Sequence, residues 1–178
     1  RAFADAVIPA ADAAVAKALV VPHAGYVYSG AIAASAYARV IPARSTIRRV
    51  VLLGPSHRVY VRGLAVAGVD AFLTPLGAVP IDTSGRDLAL ELPGVHVDDR
   101  AHADEHSLEV QLPFLQSVLD DFTLLPFSVG DATPDEVATV LEACWGGPET
   151  LVVISTDLSH YHRYDDATRL DARTAAAI

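Results

Sequence analysis

The sequence predicts a single α/β domain built around a mostly parallel, mixed β-sheet. Short apolar runs alternate with amphipathic stretches along the 178 residues, which is typical of repeated β-α units. The strongest runs hold Val, Ile and Leu without polar alternation, which indicates strands that are buried on both faces and therefore parallel. A chain of this length with 52% hydrophobic residues can bury one sizeable core.

The apolar runs predict strands of two strengths. The clear strands are Ala18–Val21, Arg49–Leu53, Phe122–Val129 and Leu151–Ser155, and the weaker ones are Leu64–Ala67 and Val79–Ile81.

Amphipathic stretches between the strands predict five helices. They are Ser29–Val40, Ser84–Glu91, Ser107–Leu119, Pro134–Cys144 and Asp165–Ile178. Thr133 is a good N-cap because Pro134 follows at the first helical position and two acids come next. Pro113 should break or kink the helix that contains it.

Composition excludes several classes of partner. The net charge of −9 and the pI of about 5.0 argue against a nucleic acid or an anionic membrane. No apolar run approaches the roughly 18 residues that would span a bilayer. The single cysteine, Cys144, excludes an internal disulfide framework and reads as a buried thiol. We therefore expect a cytoplasmic protein that binds neither nucleic acid nor membrane.

Histidines and a carboxylate follow three separate strands, at the point where each strand ends. His23 follows the first strand, His57 follows the second, and Asp157 and His160 follow the last. Taken alone, each residue could equally serve a turn or a helix cap. Because ligands bind at the carboxyl ends of strands in open α/β sheets, we expect the four side chains to converge. Imidazoles with a carboxylate are ligands for Zn or non-heme iron.

A further stretch, "ADEHSLEVQLPFLQ", places Glu105 and His106 at the start of a helix. Part of its acidity is capping chemistry, but both side chains could also face the same sheet edge. Ser56 lies beside His57, and Tyr26 could give the pocket an aromatic wall together with Tyr28 and Tyr60. His96 and His102 read as surface residues, and His162 is expected to face solvent, opposite to His160.

Other catalytic templates are weaker. The sequence has no G-x-S-x-G elbow, no G-x-G-x-x-G motif and no P-loop. An α/β-hydrolase, a dinucleotide-binding protein and a nucleoside-triphosphate-binding protein are therefore not supported.

Four motifs in this order resemble the Memo-like family, whose bacterial and archaeal members are called AmmeMemoRadiSam system protein B. They are "VPHAGYVYSG", "LLGPSHRVY", "DEHSLEVQLPFLQ" and "ISTDLSHYH". The resemblance runs from about Leu19 to the end of the chain. It implies a three-layer α/β/α sandwich, related in fold to the class III extradiol dioxygenases, which use non-heme iron.

The resemblance also implies roles for individual residues. His23 and His57 match metal ligands, and the family's further ligand is a cysteine late in the chain that Cys144 does not match. His106, Asp157 and His160 match pocket residues and would supply acid–base groups, whereas Tyr26, Glu105 and Ser56 would contact the ligand. The metal would be a divalent ion, Fe or Cu, with Zn as the alternative.

The two ends of the chain bear on the metal. The chain begins at Arg1, has no methionine, and stops at Ile178 inside a helical pattern. We therefore expect residues 1–178 to be a single Memo-like domain cut at both ends. Without the family's cysteine, we expect this chain to hold metal poorly, or not at all.

The sequence leaves three functions open. The first is a metal-dependent redox or dioxygenase-like protein. The second is a non-enzymatic module that binds a small molecule or a peptide, and the third is a zinc hydrolase. The family name implies pathway partners of the radical-SAM and AMMECR type, but it identifies no substrate.

Overall fold

The computed structural model describes residues 3, 6–10 and 14–178. Its strands are β1 Ala18–Val21, β2 Arg49–Pro55, β3 Leu64–Val66, β4 Ala71–Thr74, β5 Gly77–Pro80, β6 Val95–Val97, β7 Thr123–Val129 and β8 Thr150–Ser155. Its helices are α1 Tyr26–Ala38, α2 Thr83–Ala89, α3 Arg100–Ala103, α4 His106–Glu109, α5 Leu112–Val118, α6 Pro134–Cys144 and α7 Tyr164–Ala175, with a short 3-10 helix at Ile41–Ala43.

Six strands form one sheet in the spatial order β1-β8-β2-β7-β3-β6, and β4 pairs with β5 in a separate hairpin. Neighbours in the large sheet are parallel except for β3 and β7, which run antiparallel. The mostly parallel, mixed sheet that the apolar runs predict is therefore confirmed.

The sheet separates two apolar clusters, which makes a three-layer α/β/α fold. Side chains alternate across β2, so that Val50 and Leu52 pack on one side and Val51 and Leu53 on the other. Helices α1 and α5 cover the first side, and α2 and α6 cover the second. A strand enclosed in this way must be apolar on both faces, which explains the unbroken Val and Leu runs.

Local capping chemistry explains where two of the helices begin. Thr133 and Glu136 form a reciprocal capping box at the start of α6, as the sequence predicts. The predicted helix Ser107–Leu119 is interrupted, and α5 starts afresh with Pro113 in its first turn. Proline is tolerated there because the amide protons of a first turn have no helical partner.

The short elements β4, β6 and α3 were not predicted. Each has only three or four residues and lacks a sustained apolar pattern. The weak strand Val79–Ile81 is instead Gly77–Pro80, and Ile81 forms an isolated bridge to Leu124. Cys144 is a buried thiol, as predicted, and burial raises its pKa. Within the described part of the chain, no helix combines the length and the apolar character needed to cross a membrane.

Candidate metal-binding site

The ends of β1, β8 and β2 lie side by side at one edge of the sheet. Val21 is paired with Ser155, and Leu53 with Ile154, so the three parallel strands finish at nearly the same level. The chain then leaves the sheet and reaches His23, His57 and Asp157 within four residues of these pairs. The convergence expected from the sequence is therefore present.

Three imidazole rings meet at this edge. The ring centroids of His23 and His57 are 5.3 Å apart, those of His23 and His106 are 5.8 Å apart, and those of His57 and His106 are 5.5 Å apart. Two of the rings come from strand tips and the third from the first residue of α4. His23 is buried, whereas the side chains of His57 and His106 are 40% and 50% exposed, so the cluster opens to solvent on one side.

Glu105 holds His57 in place. One oxygen of its buried carboxylate accepts a hydrogen bond from the backbone N–H of His57 at 2.6 Å, and the other lies 2.9 Å from Nδ1 of the same residue. Glu105 also caps α4 by accepting from the backbone N–H of Ser107 at 3.0 Å. The capping role and the site-facing role that the sequence suggested both belong to this one side chain.

The ionisation of Glu105 follows from these contacts. Burial acts to raise the pKa of this carboxyl group, but hydrogen bonds from His57 and Ser107 outweigh it and lower the pKa to about 2. Glu105 is therefore a carboxylate at neutral pH, and it can only accept hydrogen bonds. Nδ1 of His57 must carry the proton between them, which leaves Nε2 of the neutral ring free to bind a ligand.

A group of side chains that could hold a metal ion contains His57, Glu105 and His106, whose donor atoms lie within 4.8 Å of one another. Nδ1 of His106 is 3.6 Å from the Glu105 carboxylate. His23 contributes a third imidazole beside this group. Imidazoles with a supporting carboxylate fit a divalent transition metal ion.

Two different residues hold His23. Its backbone N–H donates to Oδ1 of Asp157 at 2.6 Å, and its Nδ1 lies 3.0 Å from the hydroxyl of Ser155. The ring is 2% exposed, and burial lowers its pKa, so that it is neutral and able to coordinate at neutral pH.

Asp157 connects His23 with His160. Its Oδ1 also accepts from the backbone N–H of Ala24 at 2.9 Å, so this oxygen fixes the turn after β1. Its Oδ2 lies 3.7 Å from Nε2 of His23 and 3.9 Å from Nε2 of His160. His160 is half exposed, and its Nδ1 lies 3.0 Å from the carbonyl oxygen of Leu158. Asp157 thus lies between His23 and His160 at this edge of the sheet.

The hydroxyl groups of Ser56 and Tyr26 are both engaged by backbone carbonyl groups. The Ser56 hydroxyl donates to the carbonyl oxygen of Val59 at 2.6 Å, which uses its proton inside the turn. The Tyr26 hydroxyl donates to the carbonyl oxygen of Val110 at 3.1 Å, and half of this residue is exposed. Tyr28 and Tyr60 are more exposed still, at 83% and 77%.

Several residues beside the site have contacts that the sequence does not predict. Ser155 and Gln111 lie inside two of the motifs, but nothing in the motifs shows that both side chains are buried and bonded to each other next to His23. His102 is not a simple surface residue, because its Nε2 lies 3.2 Å from the carbonyl oxygen of Ala65 and its Nδ1 is buried without a hydrogen-bond partner. A half-buried histidine inside a short, unpredicted helix gives no sequence signal.

Comparison with known proteins identifies the family. The family model described as "Memo-like protein" matches residues 2–178. Among curated proteins, the "MEMO1 family protein" of Aquifex aeolicus is 42% identical over 168 residues, which cover 91% of this chain and 61% of that protein. The "MEMO1 family protein" of Archaeoglobus fulgidus is 40% identical over 178 residues, which cover 96% of this chain and 64% of that protein.

The chain thus spans a little over 60% of the length of these two relatives. The family match covers all four motifs and every residue of the imidazole cluster. This chain belongs to the Memo-like family.

Proposed function

We propose that the imidazole cluster holds a divalent iron or copper ion and that the protein is a metal-dependent redox protein of the dioxygenase-like type. The observation that carries the proposal is the convergence of His23, His57 and His106, with ring centroids 5.3–5.8 Å apart. Such a set is costly to assemble unless something binds there, because three imidazoles are brought together and one of them, His23, is desolvated.

His23 and His57 would be the principal ligands, and His106 the third nitrogen donor. Glu105 would act on the metal through His57, because its oxygens are already engaged by His57 and Ser107. Iron or copper bound there would supply one-electron redox chemistry with coordination positions open to a substrate.

Asp157 and His160 would handle protons beside the ion. The carbonyl oxygen of Leu158 can only accept, so Nδ1 of His160 carries a proton and Nε2 of the neutral ring is free. This Nε2 would take a proton from a substrate hydroxyl, and the nearby Asp157 carboxylate would stabilise the imidazolium. A dioxygenase-like type makes phenolic compounds the first substrates to test.

The test has two stages. Anaerobic titration with Fe²⁺ should show one weak site per chain, as expected without the family's cysteine ligand, and the affinity should be at least tenfold lower in His23→Ala. The iron-loaded protein should then consume oxygen when phenolic substrates are added, and His23→Ala should abolish this consumption. His162→Ala is the matched control, since this exposed histidine lies in the segment after β8, outside the imidazole cluster, and should change neither result.

Two outcomes would reject parts of the proposal. Equal Fe²⁺ affinity in the parent chain and in His23→Ala would reject the metal site. Metal binding without oxygen consumption on any phenol, together with an aromatic ligand that binds equally well with and without metal, would favour the non-enzymatic binding module.

A further inference from the structure

A chain of buried polar side chains reaches Nδ1 of His23. It consists of Tyr37, Gln111, Ser155 and the backbone of Ser107, all of which are at most 2% exposed. These residues come from α1, β8 and the segment around α4, and they meet only in the folded protein. Polar groups buried this deeply must satisfy one another, so their proton positions can be worked out.

Gln111 has a defined orientation. Its Nε2 lies 2.9 Å from the carbonyl oxygen of Pro22, which can only accept, so the amide nitrogen must be on this side. The second proton of this nitrogen points to the hydroxyl oxygen of Ser155 at 2.8 Å. On the other side, Oε1 of Gln111 accepts from the Tyr37 hydroxyl at 3.0 Å. No alternative placement of the amide satisfies all three contacts.

The hydroxyl proton of Ser155 is also assigned. Its oxygen lies 2.6 Å from the carbonyl oxygen of Ser107, and only the Ser155 proton can bridge these two oxygens. The hydroxyl oxygen therefore has only acceptor capacity left for its other neighbours. One is the Gln111 amide, and the other is Nδ1 of His23 at 3.0 Å.

We infer that Ser155, oriented by Gln111, holds neutral His23 in the tautomer with the proton on Nδ1, so that its unprotonated Nε2 faces the site. The 3.7 Å between this Nε2 and Oδ2 of Asp157 is too long for a hydrogen bond, which agrees with an Nε2 that carries no proton. Ser155 and Gln111 are thus positioning residues that act through His23. The role of these two residues in metal binding rests on the proposed function, but the tautomer of His23 does not depend on that function.

The tautomer can be read without metal. In the metal-free 178-residue chain labelled with nitrogen-15, at a pH of about 8 where imidazoles are neutral, long-range nitrogen–proton NMR spectra distinguish the two ring nitrogens. The His23 Nδ1 should show the chemical shift of a protonated nitrogen, and Nε2 that of an unprotonated one. The opposite assignment in the parent protein would overturn the inference, whether or not the protein binds metal.

Ser155→Ala removes the acceptor that selects this tautomer. His23 should then shift to a mixture or to the form with the proton on Nε2, and Zn²⁺ affinity measured by calorimetry should fall about tenfold. Ser128→Ala is the matched control, because Ser128 is a fully buried serine of β7 whose hydroxyl has no hydrogen-bond partner. It should change neither quantity.

A second variant covers the case in which Ser155→Ala does not fold. Gln111→Met keeps a similar volume but removes the amide that orients Ser155, and it should shift the His23 tautomer in the same direction by a smaller fraction. If a variant that folds shows the same His23 tautomer as the parent chain, the positioning role is refuted. A changed tautomer with unchanged Zn²⁺ affinity would leave this inference standing and count instead against His23 as a metal ligand.

Discussion

His57 and His23 are held by the same pair of contacts, but different residues supply them. At His57, the single carboxylate of Glu105 binds both the backbone N–H and the ring Nδ1. At His23, Asp157 binds the backbone N–H and Ser155 binds the ring Nδ1. One residue therefore holds both the backbone and the ring at His57, whereas two residues share these contacts at His23. A charged carboxylate holds the ring of His57, and a neutral hydroxyl holds the ring of His23.

The largest effect should come from Glu105→Ala, because it removes both supports of His57 and the cap of α4 together. Three donors, the His57 backbone and ring and the Ser107 backbone, would lose their acceptor in a buried place. We expect a loss of about 3 kcal/mol in the free energy of unfolding, measured by urea denaturation. A loss below about 1 kcal/mol would mean that water replaces the carboxylate.

A smaller effect is expected at Asp157, where only the backbone is held. Asp157→Ala leaves the N–H groups of His23 and Ala24 without their acceptor and should cost about 2 kcal/mol. Asp157→Asn keeps an acceptor oxygen and should cost less than half of that in the same urea experiment. Equal losses in the two variants would show that the charge, and not the acceptor, fixes the turn.

The smallest effect concerns pH, and it comes from the Glu105 carboxyl group on the His57 side. The pKa of Glu105 is lowered from 4.5 to about 2 in the folded protein, so its stabilising contribution is present above pH 4.5 and is lost as the pH falls toward 2. At about pH 3.5, the parent chain should have lost about 1.5 kcal/mol relative to its own value at pH 6 through this group alone.

Glu105→Gln isolates that contribution, because it cannot titrate. The difference in unfolding free energy between the parent chain and Glu105→Gln should shrink by about 1.5 kcal/mol between pH 6 and pH 3.5. The corresponding difference for Ser128→Ala should stay constant over this range, since the Ser128 hydroxyl does not titrate and has no hydrogen-bond partner among the described residues. A constant difference for Glu105→Gln would contradict the lowered pKa.

The sequence predicts the sheet and the principal site residues because both rest on local signals. Apolar runs of Val and Leu mark β2 and β8, and the strand ends bring His57 and Asp157 to one edge. The supports of His23 leave no such signal. Ser155 is the last residue of an apolar strand, and Gln111 is 44 residues away from it in the chain, so their contact depends on how α4 and α5 pack against the sheet.

The sequence also fails to predict the consequence of interrupting the helix near Pro113. The proline predicts an interruption, but it does not show that the break between α4 and α5 leaves Gln111 facing β8. Likewise, β4 and β6 are only four and three residues long, and their stability comes from neighbouring strands rather than from their own composition.

The position of β1 at the edge of the sheet affects how firmly His23 is held. Among the described strands, β1 pairs with β8 alone, so the segment that carries His23 is attached along one side only. Marginal strands of this kind are where native proteins open locally most easily. A ligand that binds both His23 and His57 would link β1 to β2 across β8 and hold the edge strand in place. Occupancy of the site and closure of this edge would then be linked through a single binding equilibrium.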